Sequence, residues 1–244
     1  MSINIPLTGS VGTAGQNRPQ DVLTIKRRLT ELGFDWLSIT STVDSGLVST
    51  IRLFQSIIQG HTKVIGDGRI DVNGLTHTWL QAANTPNWQQ MPASAPAQGF
   101  RNFELEDTAD THDYGVNWLA DSLLNAAQVY HNDYLVSHPH AALLTLNDTS
   151  LPRGGDTPNH AGHETGIASD LRLPHKDGTS GGITYENADY DRMAARAMII
   201  ALRNQPLAHI IFFNDKVLIA ENLCSPLIGH NDHFHFQIDP PMKQ

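Results

Sequence analysis

Two short segments concentrate the residues that could hold a metal ion. One is His160-Ala-Gly-His163-Glu-Thr-Gly-Ile-Ala-Ser-Asp170, and the other is His230-Asn-Asp-His233-Phe-His235. Of the 13 histidines, 11 follow residue 100, and five of those lie in these two segments, a clustering that isolated surface histidines do not produce. Two imidazoles and one carboxylate with a fourth position open are the ligand set of catalytic zinc, whereas structural zinc closes its shell with protein ligands. Imidazole ligands favour zinc over magnesium or calcium, so one Zn2+ ion is expected. The run His233 to Ile238 alternates polar and apolar side chains, which predicts a strand with Phe234, Phe236 and Ile238 turned to a core. His233 and His235 then share the other face, roughly 6–7 Å apart along the strand. That spacing suits one as a ligand and the other as a proton-transfer group one water away.

The elements that must position these groups follow from local sequence. Gly162 and Gly166 argue against a helix between His163 and Asp170, so a loop carrying His163 and then a strand near Ile167–Leu173 carrying Asp170 are expected. Ala142–Asn147 reads as a strand. The Gly- and Pro-rich loop at 150–159 holds Arg153, whose guanidinium is suited to pair bidentately with a substrate carboxylate or else to lie on the surface. A helix is expected from Asp113 to about Asn132, with Val116, Leu119, Leu123, Leu124 and Ala127 at helical spacing. Another begins at an Asp189 cap and runs to about Asn204. His209–Phe213 reads as a central strand because it is almost wholly apolar, and Val217–Ala220 as its partner. Helices on a mostly antiparallel sheet make the fold class α+β.

The motifs His-Ala-Gly-His-Glu-Thr-Gly with Asp170, the closing His-x-x-His-x-His, and Leu151-Pro-Arg-Gly-Gly155 resemble those of the penicillin-insensitive murein endopeptidases. These belong to a wider group of zinc peptidases that includes D-Ala-D-Ala peptidases and the hedgehog signalling domain. The resemblance covers roughly residues 110–240. It implies His163, Asp170 and His235 as zinc ligands, His233 as the catalytic base, and His160 and His230 lining the site. Asp232 is a rival base, and Glu164 a supporting partner or a plain loop charge.

The N-terminal third reads differently. Pro19 opens a helix whose apolar face is Val22, Ile25, Leu29 and Leu32, with Gly33 placed to end it. A second helix is expected from Gly46 to about Ile58 and a short third one near Asn73 or Gly74, carrying Leu75, Trp79 and Leu80. Leu32-Gly33, Phe54-Gln55, Asp67-Gly-Arg-Ile-Asp71 and the closing Thr-x-x-Trp-Leu resemble the peptidoglycan-binding helical domain over residues 15–83. Ser45 interrupts that family's Asp-Gly signal. The prolines of residues 86–101 predict a linker. The expected organisation is a helical domain at 1–85, a linker at 86–101 and a zinc peptidase domain at 102–244.

Composition narrows the partners. The net charge is −9 and no basic stripe is present, so nucleic acid is an unsuitable partner. Cys224 is the only cysteine, which excludes an internal disulfide and a multi-cysteine metal site. No segment approaches the about 18 apolar residues of a membrane span, and the N-terminus lacks a secretory pattern. In the last respect, and in lacking cysteine pairs, the chain departs from periplasmic endopeptidases. The expectation is therefore a zinc endopeptidase that cleaves peptide cross-links of the bacterial wall, made in the cytoplasm and acting in a target cell's periplasm. Delivery as an antibacterial secreted effector, with a cognate inhibitor protein in the producer, and release as a phage-type lysin both fit. A wall-binding protein with structural zinc and a zinc D-Ala-D-Ala dipeptidase or carboxypeptidase are the alternatives.

Overall fold

A computed structural model describes residues 3–107, 111–157 and 161–244. Pro19, with no amide hydrogen to lose, starts helix α1 (Pro19–Glu31), which buries Val22, Ile25 and Leu29. The helix ends as expected: Gly33 takes φ +89°, its amide donates to Thr30 O and that of Phe34 donates to Leu29 O, both at 3.0 Å. Asp44 caps α2 (Ser45–Ile58) by accepting the Leu47 amide at 2.8 Å. The same carboxylate lies 2.5 Å from Lys26 Nζ, an ammonium wholly removed from water. The third helix, α3 (Leu75–Leu80), follows a two-stranded pairing of β1 (Val11–Gly12) with β2 (Arg69–Ile70).

Residues 86–101, expected as a linker, are built into the structure. Strand β3 (Trp88–Gln90) pairs antiparallel with β5 (Tyr114–Val116), and β4 (Phe100–Asn102) enters the main sheet. Trp88 is the reason: its buried indole stacks on Phe34 at 6.0 Å and donates from Nε1 to Pro152 O at 2.9 Å. One apolar core cluster contains residues from both halves of the chain, from Ile5 to Ile238.

The main sheet has five strands in the order β4, β6 (Leu144–Leu146), β7 (Ala168–Arg172), β9 (His233–Ile238), β8 (Ala208–Phe212). Only the β4–β6 pair is parallel, so the mixed fold with a mostly antiparallel sheet agrees with α+β. Helices α4 (Asn117–Tyr130) and α5 (Arg192–Arg203) pack on each other, and α5 also meets β8. Asp191, not Asp189, caps α5, accepting from the Met193 and Ala194 amides. Strand β8 lies at the sheet edge rather than centrally. Its apolar run is explained by a returning segment, whose Ser225 amide donates to Ile211 O and whose carbonyl accepts from Phe213 N. Val217–Ala220 is not a strand but part of a short helix, α6 (Lys216–Ala220). Asp215 starts it by accepting from Val217 N, a capping signal that outweighs the β-branched residues.

Candidate metal centre

The antiparallel register of β7 and β9 sets Asp170 opposite His235 and Arg172 opposite His233. Side chains alternate between faces, so these four share one face of the sheet. The other face of β9, with Phe234, Phe236 and Ile238, is buried in the core, which fixes the register because a one-residue slip would turn the histidines inward. His163 arrives from the loop before β7. Gly166 makes that approach possible: it holds φ +63°, and a Cβ there would lie 2.4 Å from the Cα of Gly115. The loop is moored on its far side by residues that precede the sheet. The Glu164 carboxylate accepts the Val64 amide at 2.8 Å, and Thr165 Oγ1 donates to His61 O at 2.8 Å.

Three donor atoms converge. His163 Nε2 is 3.2 Å from His235 Nδ1 and 3.3 Å from Asp170 Oδ1, and His235 Nδ1 is 2.9 Å from that same oxygen. All three residues are buried, and the group could hold a metal ion. Tetrahedral bonds of about 2.0–2.1 Å place ligand atoms roughly 3.3 Å apart, so the triangle has the size that zinc demands. The tautomer of His163 fits as well. Its Nδ1 faces Thr149 O at 2.9 Å, and only an N–H can bond to a carbonyl, so Nε2 keeps its lone pair. A ligating histidine usually gives its second nitrogen away in this manner.

His233 stands just outside the triangle, with Nε2 3.7 Å from Asp170 Oδ1. Its Nδ1 lies 2.8 Å from Asp232 Oδ1, so Asp232 orients the ring and leaves Nε2 for the cleft. The ring of His230 sits 4.7 Å from that of His233, and its Nδ1 donates to Ile228 O at 3.2 Å. Burial, then the neighbouring His233 charge, lowers the His230 pKa below the ordinary imidazole value. A neutral His230 held in this way presents an accepting lone pair at Nε2, not a donor. His160 lies outside the described residues.

These groups line a cleft of about 670 Å3, with Thr62, Asp148, Gly181, Leu227 and Gly229 on its walls. Arg153 does not reach it. That side chain is exposed and borders a separate depression with Trp36, Trp88 and Tyr114, because Leu151–Gly154 closes a turn through the Gly154 amide to Leu151 O. The guanidinium on the cleft wall is that of Arg172. Its place was available from the strand period, since Asp170 and Arg172 are two residues apart.

A second group that could hold a metal, Glu104, His112 and Asp148, has no spacing motif to announce it. It is tied to the first through Thr149: the His112 carbonyl accepts from Thr149 N at 2.6 Å, and Glu104 Oε1 accepts from His112 N at 2.9 Å. Cys224 plays no part in the cleft; burial pushes its thiol up to about 11, which keeps it protonated and unreactive. No helix of the described residues is long and apolar enough to cross a membrane. No protein-family model matches this chain, and no curated protein matches it either.

Proposed function

We propose that this chain is a zinc-dependent peptidase acting on the peptide cross-links of bacterial peptidoglycan. The observation that carries the reading is the triangle of His163 Nε2, Asp170 Oδ1 and His235 Nδ1, with the first of these fixed in its ligating tautomer by Thr149. Zinc bound there with an open position would polarise a scissile carbonyl and bring the pKa of a coordinated water to about 7.

The remaining work falls to the chain's own groups. His233 Nε2 takes the proton from the attacking water and returns it to the departing amine, so that one peptide bond and one water become a carboxyl and an amine. Asp232 holds the ring in one orientation for both transfers. His230, neutral, offers Nε2 as a hydrogen-bond acceptor to that amine's N–H. Asp170 and Arg172 of β7 and His233, His235 and Gln237 of β9 line the cleft, a two-stranded surface along which an extended peptide would lie.

The wall as substrate is supported by the resemblance of the two histidine segments to murein endopeptidases and of residues 15–83 to peptidoglycan-binding helical domains. Delivery into a target cell, as a secreted effector neutralised in its producer by an inhibitor protein or as a phage-type lysin, belongs to the same proposal.

Digestion of purified Gram-negative peptidoglycan, with fragments identified by mass spectrometry, tests it. Cross-linked dimers should disappear with zinc and persist with a chelator. His233→Ala should retain zinc and lose about 10²–10⁴-fold in rate. Intact dimers under every condition, with zinc bound, would refute the peptidase.

A further inference from the structure

Among the described residues Arg172 is the one cationic side chain on the cleft wall apart from the histidines, and it is held there in an unusual way. Its Cζ lies 3.8 Å from the centroid of the Phe103 ring. Nη1 donates to Asn147 Oδ1 at 3.1 Å. Nε is buried and has no acceptor among the described residues. On the remaining side the backbone of Gly181, at φ +96°, comes so close that a Cβ would sit 2.0 Å from Nε and 2.1 Å from Nη2.

A planar guanidinium has five N–H donors. Here one neutral amide oxygen serves them, and Arg172 makes no ion pair among the described residues. The nearby charges do not change this. Burial and then Arg101 disfavour its charge, while Asp148 and Asp107 favour it. A half-buried cation lacking a carboxylate partner is costly, and its stacking and packing fix it in place before any ligand arrives. The cationic fork is thus pre-organised for a planar anion.

Its position relative to the metal ligands says which part of a ligand it meets. Arg172 is two residues beyond Asp170 on the same face of β7, opposite His233. That is a displacement of about 7 Å along the strand, so the guanidinium fork stands to one side of the three donors, within reach of a group carried by a residue flanking the one they would hold.

We propose that Arg172 is a specificity-determining residue that binds a carboxylate carried by the substrate residue next to the scissile bond. This rests on the peptidase reading above and narrows it to acidic or carboxyl-terminated peptides. The carboxylate can be a terminal α-carboxylate or one on a side chain, and the two are separated by experiment.

The probes are acetyl-Lys-D-Ala-D-Ala and its C-terminal amide, and muropeptide dimers whose diaminopimelate carboxyl group is free or amidated. Binding to the zinc-loaded protein is read by calorimetry and cleavage by mass spectrometry. Wild type should bind one carboxylate form on the order of tenfold to a hundredfold more tightly than its amide, as expected for a charge-assisted pair. The pair that shows the difference identifies the carboxylate's source. Arg172→Gln should remove that preference, and Arg172→Lys should keep little of it, with zinc content unchanged in both. Should the variants fail to fold, the wild-type comparison of acid against amide still decides. Equal affinity for acid and amide in both pairs overturns the role of Arg172, even if cross-links are cut. A binding preference without any cleavage upholds it and sinks the peptidase reading instead.

Discussion

Zinc should raise the thermal stability of this protein, and the size of the rise can be worked from the site. The three donors are placed by an antiparallel strand pair and by the Thr149 carbonyl. An ion that binds the folded chain and not the unfolded one stabilises it by mass action. At a free concentration one hundred times Kd, that is about 2.7 kcal/mol. For a chain of this length 1 kcal/mol moves Tm by about 2–4 °C, so the rise should be about 5–11 °C. Asp170→Asn preserves the shape and removes the anionic ligand. A loss of affinity on the order of a hundredfold would leave the same zinc concentration near Kd and shrink the rise to about 1–2 °C. Protons compete with the metal for both imidazoles, so the wild-type rise should also shrink on acidification. Differential scanning calorimetry at fixed free zinc measures all three. The reasoning fails if wild type shows no rise, or if Asp170→Asn shows the same one.

Other expectations follow from single contacts. Burial lowers the His230 pKa, so NMR titration should place its midpoint below about 6.5. Stability should drop as pH is lowered from about 6.5 through that depressed midpoint, because there the unfolded chain binds the extra proton; His230→Gln should flatten this part of the denaturation profile. Asp44→Ala strands the buried Lys26 ammonium and uncaps α2. Chemical denaturation should show a loss of about 3 kcal/mol, the low end for breaking a buried pair, since Asp44 is itself half in water. The Asp44 carboxyl is held below its usual range first by the Lys26 hydrogen bond, so the stability it provides is present above about pH 4 and lost as pH falls through the lowered value. Gly166→Ala should reduce zinc binding more than its volume suggests, because the new Cβ meets backbone at Gly115 and pushes the His163 loop away; metal content after dialysis reports it.

The parts of this fold legible in sequence are those governed by periodicity. The alternation of His233–Ile238 and the apolar spacing of α1 and α2 survive in the structure because burial of one face decides both. The end of α1 was legible for a different reason, since Gly33 can take φ +89° without strain. Where the reading failed, a distant partner decided. Trp88 turned a proline-rich stretch into packed strands by stacking on Phe34, 54 positions earlier in the chain. Strand β8 looked central because its outer edge is covered by a segment that composition could not place. At the cleft, types and spacing pointed to the three residues that converge, while a glycine-rich loop drew attention to Arg153 and the strand period placed Arg172 on the wall. The Glu104–His112–Asp148 group left no trace in local sequence, as its members meet only through tertiary packing.

The mooring of the His163 loop bears on how this chain can be cut and rejoined. Val64 and His61 lie about a hundred residues before Glu164 and Thr165, yet they grip them beside a candidate metal donor. A chimera that replaced residues 1–85 with a foreign wall anchor would lose an amide and a carbonyl that hold the loop in place. Its defect would be read first in retained zinc. The helical region is thus a buttress of the candidate metal centre, and it cannot be exchanged without disturbing that site.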